Sequence, residues 1–245
     1  MTERSISVVK FGGSVLTDSQ AFRRVAAFVA DLLAREPNHQ LVIVVSAEYG
    51  LTDALLACAQ DFVADPDAET LDLLWSTGET RSVALMVLAL HAAGVKAAGL
   101  NVHQTGLIDY EQRPTTDRLT LRPLRLRAAL AGADVVVVPG FLSRGKGDAI
   151  RSLERGGSDL TAVLLAAGLG ARTCQLVKDV PGYFSADPKL DPRAEPLEEI
   201  SFERATELSR FGSRIVQPAA LDAARTAGVT LLVRSIEGGP GTHVH

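Results

Sequence analysis

The run Glu154-Arg155-Gly156-Gly157-Ser158-Asp159-Leu160-Thr161 leads into an apolar stretch from Ala162 to Leu169. These residue types suit anion chemistry. Two glycines let a bound group come close to the backbone. A helix start offers free N–H groups and a positive dipole end. An arginine grips a carboxylate or phosphate through two parallel hydrogen bonds. Asp159 stands where a helix cap or a polar catalytic group would stand. Alone, the turn equally fits an ordinary capped loop. A second set, Lys10-Phe11-Gly12-Gly13-Ser14, closes an apolar strand with a lysine and a glycine pair. There an ammonium would neutralise phosphate charge while glycine N–H groups donate to its oxygens. No GxxxxGK(S/T) pattern occurs in the chain, so this is not a P-loop.

Two further sets carry polar groups at places where ligands gather. Ser46-Ala47-Glu48-Tyr49-Gly50-Leu51-Thr52-Asp53 follows the apolar run Leu41 to Ser46, and open parallel sheets bind ligands outside the C-terminal ends of their strands. Ser76-Thr77-Gly78-Glu79 sets a carboxylate at a break in a helical stretch. Val177 to Lys189 and Phe211 to Pro218 complete the list of segments with chemistry to offer.

The elements that must position these groups alternate. Strands are predicted at Ser5 to Phe11, Leu41 to Ser46, Val95 to Leu100, Asp134 to Phe141, Thr173 to Val180 and Val229 to Val233, each an apolar run of strand length. Helices are predicted at Ser19 to Arg35, Asp53 to Val63, Glu69 to Trp75, Glu79 to Ala93, Arg122 to Ala131, Leu160 to Leu169, Phe202 to Arg210 and Pro218 to Ala227. The third and fourth helices are read as separate pieces broken at Ser76-Thr77-Gly78. Ile108 to Leu121 is polar and turn-rich and gives no clear element. This order predicts an α/β fold, a three-layer αβα sandwich with a mostly parallel central sheet.

Bulk properties narrow the function. The 245 residues suffice for one large domain or two joined lobes. A net charge of −4 without a basic face argues against nucleic acid as partner. Cys58 and Cys174 lie in apolar surroundings without metal-ligand spacing and are expected to be buried free thiols in a reducing compartment. The five histidines are scattered, and no metal site is expected. Without a signal-peptide core or an apolar run of spanning length, a cytoplasmic protein with no membrane partner is expected.

Together the motifs resemble the amino-acid kinase superfamily and, within it, the catalytic domain of aspartokinases. The resemblance is carried by KFGG, VVSA-x-x-G-x-TD, STGE, Gln104-x-Gly106, ERGGSDLTA, DV-x-G-x-x-x-ADP and FG-x-(Lys/Arg)-x-x-x-P, in that order over nearly the whole chain. It implies an ATP-dependent phosphotransferase acting on the carboxylate of a small amino acid, L-aspartate first, with Mg²⁺ carried on the nucleotide. Lys10 would stabilise the transferring phosphoryl group, with Gly12 and Gly13 as backbone donors. Asp159 would orient the reacting groups and Lys10. Ser46, Thr52, Glu79, Arg155 and Ser158 would line the amino-acid site, Glu79 meeting the ammonium and Arg155 the carboxylate. Asp179, Phe184, Asp187 and Lys189 would fall in the nucleotide segment, together with Lys178 and Arg214. The resemblance further implies a homodimer, an acceptor-binding lobe over about 1–150 and a nucleotide-binding lobe over about 151–245.

Four positions depart from the pattern. Ser14-Val15 stands where Thr-Ser is usual, Lys178 replaces a threonine and is expected to alter nucleotide contacts, His103 replaces a tryptophan, and Gln217 replaces a histidine. The sequence stops at His245 without the regulatory ACT domains of many aspartokinases, so no feedback site of that kind is expected. Two other readings stay open: a kinase for another small acceptor bearing a phosphate or hydroxyl group, with His103 as its base, and a nucleotide-binding protein that keeps the fold without catalysis.

Overall fold

A computed structural model describes residues 4–110, 118–153, 156–186, 188, 190–191, 193–210 and 215–245. Among these residues, twelve strands and eight α-helices follow one another. The strands are β1 (Ser5–Phe11), β2 (His39–Val45), β3 (Ala97–Gly99), β4 (Leu107–Asp109), β5 (Leu119–Leu121), β6 (Val135–Pro139), β7 (Leu142–Arg144), β8 (Ile150–Ser152), β9 (Thr173–Lys178), β10 (Glu199–Ile200), β11 (Thr230–Ser235) and β12 (Gly238–Val244). The helices are α1 (Ser19–Arg35), α2 (Leu51–Gln60), α3 (Ala68–Ala92), α4 (Val102–Thr105), α5 (Leu124–Leu130), α6 (Gly157–Leu169), α7 (Phe202–Arg210) and α8 (Pro218–Ala227).

The main sheet has the order β10-β12-β11-β9-β1-β2-β6-β3. Its neighbours are parallel except for the β11–β12 pair, which is antiparallel. The first strand of the chain thus lies at the middle, between β2 and β9. Because side chains alternate across a strand, β1 splits its residues between two cores. Val9 and Phe11 pack with Phe22, Val25 and Val29 of α1 and Met86 and Leu90 of α3. Val8 packs with Leu176 of β9, Ala162, Val163 and Leu165 of α6 and Leu221 of α8. These are the expected three layers, and the alternation sends Lys10 to the α6 side.

Several predicted elements change. The break at Ser76-Thr77-Gly78 does not exist: α3 runs unbroken, capped where Asp67 accepts from the Thr70 N–H at 2.9 Å. Ser76 and Thr77 turn their hydroxyls back to the carbonyls of Leu73 and Leu74, and Gly78 lets the helix lie against Ala47 and Leu51. The glycine serves close packing rather than interruption. α6 starts at Gly157, three residues before its predicted start, which places Ser158 and Asp159 in its first turn.

The unreadable stretch after Gly106 contributes to a second, four-stranded sheet, β5-β4-β7-β8, built of three-residue strands too short to carry a pattern. The glycine-rich tail forms β12, whose Thr242 accepts the Tyr183 N–H at 2.8 Å and donates to the Leu197 carbonyl, pinning the segment that follows β9. Cys174 is buried as expected, but Cys58 is exposed on α2. No described helix is long and apolar enough to cross a membrane.

Candidate active site

The C-terminal ends of β1, β2, β6 and β9 converge on the first turn of α6. Backbone hydrogen bonds fasten the turns together: Ser46 N–H to the Phe11 carbonyl at 3.2 Å, and Gly140 N–H to the Val45 carbonyl at 2.8 Å. Gly13 approaches the Ala47 carbonyl so closely that a Cβ there would stand 2.8 Å from that oxygen. The hydroxyl of Ser46 donates to that of Ser158 at 2.9 Å, and the hydroxyl of Ser14 donates to Asp179 at the same distance. Gly156, with φ 88°, turns the chain into α6 while the Gln217 side chain lies against it; a side chain at 156 would suffer both strain and collision.

At the centre stands Asp159, 2% exposed. Lys10 Nζ lies 2.7 Å from its Oδ1 and Lys178 Nζ lies 2.7 Å from its Oδ2. Register explains the bridge. Lys10 pairs with Leu176 across the parallel β1–β9 ladder, so Lys178, two residues further, projects to the same face. That face is the one α6 covers. Burial pushes the Asp159 carboxyl up, but Lys10 and Lys178 outweigh it and hold the group below the usual carboxylate range. Burial, reinforced by Lys10 and opposed by Asp159, lowers the Lys178 ammonium to about 8.

Glu79 faces this cluster from α3 and is 3% exposed. Burial raises its carboxyl to about 8, with the Ala47 backbone hydrogen bond and Lys10 acting in the other direction. Its Oε2 has no partner, and an unpaired buried acceptor of this kind fits a donor from outside the chain. Thr52 sits on the first turn of α2, where its carbonyl accepts from Trp75 Nε1 at 3.1 Å. Glu48 and Arg81 form an ion pair of 2.8 Å beside it.

The structure therefore brings Lys10, Gly12, Gly13, Ser46, Ser158, Asp159, Glu79 and Lys178 into one constellation. Asp179 is exposed at the end of β9 and joins through Ser14. Phe184 is part of the following segment and bridges to Pro196. His103 is exposed on α4. Arg155, Asp187, Lys189 and Arg214 lie outside the described residues. Sequence reading missed the shared carboxylate between Lys10 and Lys178, which depends on strand register, and the part of Ala47, whose backbone touches both Gly13 and Glu79. Period-two counting back from each strand end was the signal that would have found the first.

A model of the amino acid kinase family matches residues 5–235. The chain is 38% identical over 241 residues to the aspartokinase of Thermus thermophilus, covering 98% of this chain and 59% of that protein. It is 35% identical over 240 residues to the aspartokinase of Corynebacterium efficiens, covering 97% and 56% respectively. The chain thus spans well under two thirds of the length of these curated relatives. Among solved structures, the aspartate kinase of Synechocystis superposes with TM-score 0.87 at 37% identity, covering 98% of this chain and 39% of that one. E. coli aspartokinase III in complex with aspartate and ADP gives 0.80 at 25% identity, covering 98% and 64%. The uridylate kinase of Archaeoglobus fulgidus gives 0.69 at 20% identity over 98% of this chain and 99% of that one, a likeness of fold.

Proposed function

The chain belongs to the amino acid kinase family, and on that premise we propose that it transfers the γ-phosphoryl group of ATP to a carboxylate of a small amino acid, L-aspartate first among them. The observation that carries the reading is Glu79 beside the Lys10–Asp159–Lys178 cluster: a buried carboxyl with a free oxygen for an ammonium, next to a cationic centre for phosphate. The names of the relatives support the choice of aspartate.

The residues fit a nucleotide's phosphates. A Cβ at position 12 would stand 3.2 Å from Lys10 Nζ, so glycine leaves open the space beside that ammonium. The first turn of α6 adds its dipole. Both Asp159 oxygens are held by lysines, and no group of three or more His, Cys, Asp or Glu among the described residues is placed to hold a metal ion. In this reading Mg²⁺ would be held by the phosphates, where it would supply neutralising charge.

In this reading Glu79 holds the acceptor's ammonium and Ser158, supported by Ser46, meets its polar groups. Arg155 is assigned the acceptor's second carboxylate. Lys10 and the Gly12-Gly13 backbone neutralise charge on the equatorial oxygens, and Asp159 keeps Lys10 in place. An acceptor carboxylate oxygen bonds to phosphorus as the bond to the ADP oxygen breaks, giving an acyl phosphate. The acceptor is already ionised at neutral pH, so no strong base is needed. The acceptor binds toward the N-terminal portion and the nucleotide toward the segment after β9, with Asp179, Phe184, Asp187, Lys189 and Arg214 on the nucleotide side.

The test is ADP release against a panel of aspartate, other amino diacids, small phosphates and alcohols, with hydroxylamine to trap acyl phosphate as hydroxamate. Aspartate-dependent release with hydroxamate formation is expected. Release with a phosphate or alcohol and none with an amino acid overturns the acceptor, and nucleotide binding without turnover on any acceptor overturns the kinase reading. The expected homodimer is checked by light scattering.

A further inference from the structure

We propose that Lys178 is a second catalytic lysine, its ammonium contacting the transferring phosphoryl group opposite Lys10. The inference rests on the phosphotransfer reading above but assigns a contact that reading does not need.

Three observations carry it. The first is geometry: Lys10 and Lys178 emerge from adjacent parallel strands on one face, and the two Asp159 oxygens hold their ammoniums at 2.7 Å each. A single planar carboxylate fixes both cations, one at each oxygen, so that the two ammoniums are held in a set relation to each other. The second is charge. In this buried set two cations share one anion, with side-chain exposures of 7%, 14% and 3% for Lys10, Lys178 and Asp159. Glu79, the nearby carboxyl, is held toward its neutral form by burial. Asp179 adjoins Lys178 but is exposed, so water screens it. The excess positive charge is balanced when an anion enters. The third is donor capacity: an ammonium has three N–H groups, and Lys178, the more exposed lysine of the pair, gives one to Asp159. Burial and Lys10 make this ammonium a stronger acid than usual, and an entering phosphate would relieve that destabilisation of its charged form.

The γ-phosphoryl group carries negative charge on its oxygens in bound ATP and on its equatorial oxygens during transfer, so a fixed cation aimed at them serves both states and makes no such contact with ADP. A lysine holding the adenosine moiety or the β-phosphate would instead affect ADP and ATP alike.

The experiment uses the full chain with Lys178→Gln, Lys178→Met and Lys178→Arg. Glutamine keeps a donor toward Asp159 without charge, so it serves if methionine does not fold. For each, kcat and KM are measured, together with binding of ADP and of β,γ-imido-ATP by calorimetry. The neutral variants are expected to lose about 100-fold in kcat, to bind the imido analogue at least ten times more weakly and ADP within about threefold, with Arg recovering part of kcat. Unchanged kcat, or equal weakening of both nucleotides, overturns the proposal. If the wild-type protein turns over another acceptor, the choice of aspartate fails while the nucleotide comparison still judges Lys178. If it binds neither nucleotide, both readings fall.

Discussion

The hydroxyls of Ser46 and Ser158 meet at 2.9 Å, joining the end of β2 to the first turn of α6. Neither strand nor helix needs that bond for its own ladder, and Ser158 is buried. Its value is therefore orientational: it sets the Ser158 hydroxyl relative to Glu79 and the lysine cluster. Ser46→Ala removes a neutral hydrogen bond worth about 1 kcal/mol. It is expected to lower kcat/KM for the acceptor about fivefold to tenfold, with little change in the KM for ATP. The double variant with Ser158→Ala should cost less than the sum of the singles, since both remove one interaction. Strict additivity in steady-state kinetics would show that the two hydroxyls act separately.

Lys10 and Asp159 differ in what their loss leaves behind. Lys10→Met leaves Asp159 still paired with Lys178, so the fold should tolerate it while phosphoryl transfer fails. Asp159→Asn leaves two buried ammoniums facing each other with no anion between them. Breaking a buried pair in this way costs about 3–5 kcal/mol. Urea unfolding should therefore rank Asp159→Asn well below Lys10→Met in stability, with both inactive. The reverse order would mean that Lys178 does not sustain Asp159.

The contrast shows what was legible in the sequence. Lys10, Ser158 and Asp159 could be picked out because their types stand at strand and helix ends, where local pattern suffices, whereas Glu79, which local pattern sets at a helix start, lies in the interior of α3. Lys178 sits in a local motif that reads as a nucleotide contact, and only the parallel register of β1 with β9 brings it to Asp159. The continuity of α3 was hidden for a related reason. Ser76, Thr77 and Gly78 are poor helix formers in isolation, and packing of Gly78 on Ala47 overrides them. β4, β5, β7 and β8 are three residues each and exist through their partners, so no periodicity announces them. The exposure of Cys58 likewise follows from which side of α2 meets α3, which composition does not reveal.

Glu79 gives the stability of the free protein a characteristic pH dependence. Its carboxyl ordinarily titrates near 4.5 and in the fold is raised to about 8 by burial. Between those values the folded chain keeps a proton that the unfolded chain has lost, so stability falls as pH rises through the window. Asp159 is shifted the other way and acts below it, and Lys178 titrates at its upper edge. Glu79→Gln should flatten the slope and, at pH 7, exceed the wild type by on the order of 3 kcal/mol in urea unfolding, the two converging near pH 4.5. Binding of an amino-acid acceptor should release a proton from wild-type protein, measurable in weakly buffered calorimetry, and none from the variant. Parallel pH profiles for the two proteins would show that Glu79 is ionised in the free fold.

Gly12 and Gly13 are adjacent yet should fail differently. A Cβ on Gly13 would stand 2.8 Å from the Ala47 carbonyl oxygen, a backbone atom held by the packing of the turn after β2. That collision cannot be relieved by a rotamer, so Gly13→Ala should destabilise by about 1–3 kcal/mol and also displace Ala47 from Glu79. A Cβ on Gly12 would stand 3.2 Å from Lys10 Nζ, the movable end of a side chain, and Gly12 has φ −77°, which alanine adopts freely. Gly12→Ala should therefore unfold within about 0.5 kcal/mol of wild type. It should nevertheless lose activity, because the new methyl occupies the space beside the ammonium where a phosphate oxygen would lie. Thermal melts paired with ADP-release assays separate the two outcomes. Full activity in a stable Gly12→Ala protein would move the phosphate site away from Lys10.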